Sequence, residues 1–240
     1  YIFYSKGKTM KGSHHYRLEP KDSGVEPFFT IKNHEERPKW NPGLNYNIFR
    51  GTFELRYSEK NEKVWVINEL PMEPYLWGLA EVSNNTPEEF QKAMAIAERT
   101  YAYVQLRSGT KHADRNFHVS ASQGDQVYRG KNREPSFPNV VSAVKQTLGE
   151  MVTYNNDAVV TPYFARSNGR TKSYKSVWGG SEKPWLQSVK TEYDSGKSKW
   201  GHGVGMSQRD ATHRADKEDV DYKELLAHYY TDTDVKKVYK

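Results

Sequence analysis

The chain has 240 residues, no cysteine, and 36 Lys and Arg against 30 Asp and Glu. The missing thiols exclude a disulfide framework and thiolate zinc sites, and no apolar run is long enough to read as a membrane helix. The net charge of +6 favours an anionic partner such as nucleic acid, an acidic wall polymer or a membrane surface, although the excess reads as modest and dispersed; 17 Tyr and 6 Trp supply flat faces that stack on sugars and bases alike.

Residues 1–40 are polar and irregular, with extended candidates at 1–4 and 28–31. The start at Tyr1, without a methionine or a signal-peptide pattern, reads as a trimmed fragment whose targeting segment lies elsewhere. After Pro42-Gly43, residues 47–57 and 63–68 alternate as strands do, with 58–62 as the hairpin connection. Pro71 and Pro74 discourage helix, so 70–80 is expected to be a loop and short turn that delivers Glu81. Thr86, Pro87, Glu88 and Glu89 then spell a helix start: an N-cap, a proline at the first helical position and a capping-box acid three residues after the cap. Phe90, Ala93, Met94, Ala97, Tyr101 and Val104 recur at three- and four-residue steps, which predicts one main helix over about 87–108, closed by Gly109.

Residues 109–137 are dense in Gly, Ser, Asn and Asp and predict a long functional loop with a short strand at 126–128. A helix over 139–147 and a hairpin of 151–154 and 158–164 through Asn155-Asn156-Asp157 follow. Residues 165–205 form a second loop-rich stretch, and helices from about Ser207 and over 222–230 precede a final polar strand or tail. With no internal repeat and no low-complexity linker, the pattern predicts one compact α+β body with short strands and long loops: 1–70 a strand-rich flank, 71–232 the functional region and 233–240 a tail.

Glu81 stands among Trp77, Leu79, Ala80 and Val82, where a carboxylate keeps its proton longer, as a general acid near neutral pH requires. Taken alone, a Glu before a turn reads equally as a capping or buried ion-pair residue. Four loops, SASQGDQVYRG, YFARSNGRT, VWGG and WGHGVGMSQ, concentrate small and polar residues and invite a shared site. In the last, Gly201, Gly203 and Gly205 alternate with His202, Val204 and Met206, a backbone that brings His202 close to a ligand or another chain, and Ser207 stands where it caps the next helix. A dinucleotide fold is a poor reading because no apolar strand precedes these glycines and the spacing fails at Gln208. No Gly-x-Ser-x-Gly elbow occurs, and His112, His118, His202, His213 and His228 have no tight ligand spacing. Arg166 and Arg170 beside Asn168 and Gly169 read either as a phosphate grip or as solvated side chains.

In order, YLWGLAEVS, AMAIAERTYAY, QVYRG, SNGRT with VWGG, GHGVGMSQ and ELLAHYY resemble the SpoIID/LytB domain family, from about residue 74 to 230. The resemblance implies a peptidoglycan lytic transglycosylase that cleaves the MurNAc–GlcNAc bond, or, as the alternative, a non-catalytic wall-binding module that enhances or recruits an N-acetylmuramoyl-L-alanine amidase. It places the catalytic acid at Glu81. Ordinary glycosidases need two carboxylates, whereas closure of a 1,6-anhydro ring by the muramyl C6 hydroxyl lets one Glu act first as acid and then as base. The resemblance also implies Gln126, Tyr128, Ser167, Arg170, Thr171, His202, Ser207 and Gln208 as substrate-binding groups of one groove, with Arg99 as structural support. Neutral donors and acceptors suit hydroxyls and N-acetyl amides. It extends to relatives that hold zinc through a His and two Cys around the QVY segment; here Val119 and Asp125 fall near those places, so no metal and no other cofactor is expected. Arg209-Asp210-Ala211 replaces an aromatic-glycine pair after GHGVGMSQ, and Asn168 replaces a small residue before Gly169. The expected partners are peptidoglycan glycan strands and an envelope protein such as a cell-wall amidase, with no nucleic acid. The expected location is the bacterial cell envelope or its exterior, with any membrane anchor outside this fragment.

Overall fold

A computed structural model describes residues 15–20, 26, 28–60 and 62–240, together with the backbone of 2–5 and 8–11. Expectations that touch Tyr1 and Asn61 lie outside the described residues. The architecture is α+β, with several small sheets and helices of mixed length. The chain groups into two compact units, each assembled from two stretches: 1–80 with 108–135, and 81–107 with 136–240.

In the first unit β1 (Ile2–Ser5) pairs with β2 (Lys8–Lys11). The other strands are β3 (His15–Leu18), β4 (Phe28–Thr30), β5 (Ile48–Arg50), β6 (Thr52–Ser58) and β7 (Lys63–Glu69). They form an antiparallel sheet in the order β3-β6-β7 and a separate β4-β5 pair. The run 47–57, expected as one strand, is therefore two strands in two sheets. The cause is Gly51, whose φ of +77° turns the backbone and where a Cβ would lie 2.1 Å from the Glu69 carbonyl oxygen. Phe29 and Phe49 meet the buried Phe53 edge to face at 5.4 and 5.5 Å. The stretch 70–80, expected as loop, contains the helix α1 (Met72–Trp77). Its prolines do not prevent it: Pro71 precedes the first turn and Pro74 lies within it, where the missing N–H has no helical partner to lose.

The second unit is built on α2 (Glu88–Ser108), the helix expected from periodicity. From Phe90 to Thr100 all its residues but Lys92 are buried, with Ala93, Met94, Ile96 and Ala97 in the core. Burying Met94 and Ile96 contributes about 1.5–3 kcal/mol each. The start differs in detail from the expectation: the Thr86 hydroxyl donates to the Ser83 carbonyl (2.9 Å), and the Gln91 amide ties the same turn through the carbonyls of Asn84 and Thr86. Glu89 accepts the Tyr222 N–H (2.9 Å) rather than closing a capping box.

Around α2 lie α3 (Pro138–Gln146), β8 (Glu150–Tyr154), β9 (Asp157–Ala158), β10 (Tyr163–Phe164), α4 (Tyr174–Trp178), β11 (Met206–Ser207), α5 (Gln208–Lys217), α6 (Tyr222–Tyr229) and β12 (Asp234–Lys237). β12 pairs with β8, so the terminal stretch expected as a polar strand or tail completes the sheet β12-β8-β9. β10 and β11 pair in parallel. α6 carries the full capping box, Asp221 accepting from Lys223 and Glu224 while Glu224 accepts from the Asp221 N–H. No helix among the described residues is long and apolar enough to cross a membrane.

Candidate active site

In the second unit Glu81 is half-buried, ahead of α2. Its main-chain carbonyl accepts the Gln208 side-chain amide at 3.2 Å, and the same amide nitrogen sits 4.0 Å from Met94 Sδ. GHGVGMSQ thus ends on the residue that precedes α2 by a turn, although 127 positions separate the two in the chain. The segment reaches this place because its glycines take positive φ while Val204 and Met206 enter the core. Gly205 shows the constraint most sharply: a Cβ there would lie 2.0 Å from the Pro162 carbonyl oxygen, so the close approach of β10 and β11 admits no side chain.

His202 is half-exposed, packed between Trp178 (4.9 Å between ring centroids) and Phe164 (5.5 Å), and its Nδ1 accepts the Val204 N–H at 3.1 Å. This bond leaves Nε2 as the ring nitrogen that carries the proton in the neutral form. Arg170 is exposed and donates to the Ser188 carbonyl at 3.0 Å.

Ser167, Thr171 and Ser207 are buried, and their hydroxyls are used internally. Ser167 Oγ bonds Thr191 Oγ1 and accepts the Gly169 N–H (3.0 Å); Thr171 Oγ1 accepts the Val189 N–H (2.9 Å). Ser207 precedes α5 but does not cap it: its hydroxyl donates to Asp194 at 2.6 Å. These three hold loop backbones in place, while Glu81, Arg170, His202 and Gln208 retain solvent-facing surface. Arg99 is fully buried and donates to the carbonyls of Val144 (3.0 Å) and Glu150 (3.2 Å), tying the end of α3 to the start of β8.

Two residues that sequence reading did not single out organise these loops. Asp194, with no exposure, accepts the Ser167 N–H (2.8 Å) and the Ser207 hydroxyl and pairs with Arg209 (3.2 Å). Asp210, equally buried, accepts the Tyr193 N–H (2.9 Å), Arg214 (2.9 Å) and the Tyr229 hydroxyl. Burial, and then the Asp210 charge, push the Tyr229 phenol well above its usual range. Asp210 stands in Arg209-Asp210-Ala211, the segment that departs from the resemblance after GHGVGMSQ, and that departure was its sequence signal; Asp194 lies in EYDSG, which reads as an ordinary turn.

Gln126 and Tyr128 belong to the first unit. Gln126 is buried and accepts the Tyr75 hydroxyl at 2.9 Å, and Tyr128 stacks on the Tyr75 ring at 5.3 Å. The short strand expected at 126–128 is a single bridge between Leu79 and Tyr128, flanked by bonds from Ala80 to Val127 and from Arg129 to Gly78. The YLWG and QVY segments therefore pack as one element. Burial pushes the Tyr128 phenol above its usual range, so it is a neutral donor at any physiological pH.

Asp125, beside them, has a side chain only 1% exposed. Burial opposes its ionisation, but the Lys111 ammonium, the Ser120 N–H and hydroxyl and His112 outweigh that and hold the carboxyl well below the usual carboxylate range. A carboxylate already paired with a lysine is a poor metal ligand. Among the described residues no three His, Asp or Glu are placed to hold a metal ion.

Residues 60–154 match the family model SpoIID, described as stage II sporulation protein. That stretch carries Glu81, Arg99, Gln126 and Tyr128; residues 167–208 lie beyond it. The chain is 29% identical over 148 residues to the stage II sporulation protein D of Bacillus subtilis (strain 168), covering 56% of this chain and 42% of that protein. It is 28% identical over 148 residues to the stage II sporulation protein D of Bacillus amyloliquefaciens, with the same coverage. An uncharacterized protein of Brachyspira hyodysenteriae is 35% identical over 138 residues, covering 56% of this chain and 36% of that protein. The chain spans about two fifths of the length of the curated relatives it matches. Over residues 60–154, the region that holds Glu81 and α2, the chain is similar to the SpoIID family.

Proposed function

We propose that the chain supplies a peptidoglycan lytic transglycosylase domain, exported to the cell envelope and used in a sporulation-like remodelling of the wall, with Glu81 as its single acid and base. The observation that carries this reading is the hold of Gln208 on the Glu81 carbonyl, which ties GHGVGMSQ to the half-buried acid. The match of residues 60–154 to the SpoIID family model supports it.

The chemistry follows from one carboxyl group. Protonated Glu81 donates to the glycosidic oxygen as the bond from muramyl C1 breaks, and the GlcNAc leaves with a free hydroxyl. The resulting carboxylate takes the proton of the muramyl C6 hydroxyl while that oxygen bonds C1, closing the 1,6-anhydro ring without consuming water. Arg170, His202 and Gln208 orient the strand, and the buried hydroxyls of Ser167, Thr171 and Ser207 fix the loops that carry them.

Digestion of purified glycan strands, read by mass spectrometry, tests the reading: 1,6-anhydromuramyl ends are expected, and Glu81→Gln should lower the rate by about 10²–10⁴-fold. Hydrolytic ends, or equal rates from the variant, overturn it. A second reading, a wall-binding module that enhances an amidase, draws on the exposed faces of Trp178 and Trp200. On that reading the chain binds strands without cutting them, and Glu81→Gln enhances the amidase as the unchanged chain does.

A further inference from the structure

We propose that Trp178, Trp200 and His202, with the cations of Arg166, Lys172 and Lys199, form a subsite for a carboxylate-bearing sugar residue; this rests on the reading of the chain as a glycan-acting domain. Two indoles in the second unit are left open to solvent, Trp178 at 47% and Trp200 at 66% exposure. Trp178 packs on His202, and Trp200 stands two residues before it, tied by paired backbone bonds to Arg166. The Arg166 guanidinium lies 5.9 Å from the Trp200 ring centre and is held there by bonds to the Ser198 carbonyl (2.8 Å) and hydroxyl (2.9 Å). The stems of Lys172 and Lys199 flank Gly203, within 3.5 to 3.7 Å of where a Cβ would stand. Arg166, Lys172, Lys199 and the two indoles thus crowd one short stretch of loop on either side of His202.

The charge of these loops identifies the ligand. The excess that reads as dispersed is concentrated: residues 165–203 carry eight Lys and Arg against three Asp and Glu, a net +5 of the chain's +6. The three acids are already paired, Glu182 with Lys175, Glu192 with Lys190 and Asp194 with Arg209. Among the described residues Lys172 and Lys199 enter no ion pair, so both ammonium groups are available to a bound anion. An indole face takes the apolar face of a pyranose. A neutral sugar gains only hydrogen bonds to its hydroxyls from the surrounding cations, whereas a carboxylate on the ring or on its side chain makes stronger, charge-assisted ones. The carboxylate comes either from a muramyl lactyl group or from a hexuronate.

Isothermal titration of the Glu81→Gln protein, in which strands stay intact, tests this with four probes: chitotetraose, a GlcNAc–muramyl tetrasaccharide with free lactyl carboxylates, tetragalacturonate and oligothymidylate. A charged sugar is expected to bind about tenfold tighter than chitotetraose at low salt, with the preference shrinking as salt screens it. Binding of the muramyl probe alone identifies the lactyl group as the source, and binding of both charged sugars identifies the carboxylate in general. Lys172→Gln with Lys199→Gln should remove the preference and leave chitotetraose binding unchanged; Trp200→Ala should weaken all sugars. Equal affinity for charged and neutral sugars, or tighter binding of oligothymidylate, overturns the proposal. Strand cleavage is read separately with unmodified Glu81, so a chain that prefers charged sugars but does not cut retains the subsite and loses the transglycosylase reading. A chain that cuts without charge preference does the reverse.

Discussion

Asp194 holds three pieces of chain with one buried carboxylate: the SNGRT loop through the Ser167 N–H, the end of GHGVGMSQ through Ser207, and α5 through Arg209. Replacing it with Asn keeps the shape but removes the charge and turns one acceptor into a donor facing Ser207 or Arg209. Asp194→Asn is therefore expected to cost about 2–3 kcal/mol of stability, read as a lower urea midpoint; an unchanged midpoint would mean the network carries no net energy. Sequence reading reached the residue type of Ser167, Thr171 and Ser207 but not their burial, because a Ser in a Gly-rich loop looks the same whether it faces solvent or a hidden acid. Glu81 stands out in the sequence for the opposite reason: its apolar neighbours set it apart from the charge-rich runs that hold most of the other acids, and the structure adds that it is half-buried.

At the scale of elements, what was legible followed the strength of the repeating pattern. α2 declared itself by a long three- and four-residue recurrence, and its observed bounds depart little from that reading. α1 was hidden because a six-residue helix has no room for a period and its prolines argue against it unless their place in the first turn is known. The break between β5 and β6 was hidden because Gly51 lies in an otherwise unbroken strand pattern, and only the approach of the Glu69 carbonyl reveals what it does. Gly51→Ala must therefore strain both φ and the contact with β7. The expected loss is about 1–3 kcal/mol, read as a lower thermal midpoint with early loss of amide protection in β5, β6 and β7. Protection lost elsewhere first would show that the turn is not the weak point of its unit.

At the scale of the whole molecule, the interleaving of the two units was beyond sequence reading, since each takes two separate stretches and no linker marks the exchange. Each unit also carries its own response to acid. In the second, burial and then Arg209 lower the affinity of His213 for a proton, and burial and then Arg214 do the same for His228. A histidine held below its ordinary value of about 6.5 leaves the unfolded chain binding more protons, so its contribution is present above that pH and is lost as pH falls through the folded value. In the first unit Asp125 is depressed below the carboxylate range; its contribution is complete above about pH 5 and is lost only in stronger acid. Hydrogen exchange during stepwise acidification should therefore show α5 and α6 losing protection as pH falls below about 6.5, ahead of the loop that joins Lys111 to Asp125. His228→Gln, which keeps a donor for the Lys190 carbonyl, should flatten the first step by removing one titrating group. Asp125→Asn should flatten the second while lowering stability at neutral pH by about 1–3 kcal/mol. If the 111–125 loop opens first, or if His228→Gln leaves the upper step unchanged, the assignment of the acid response to these groups fails.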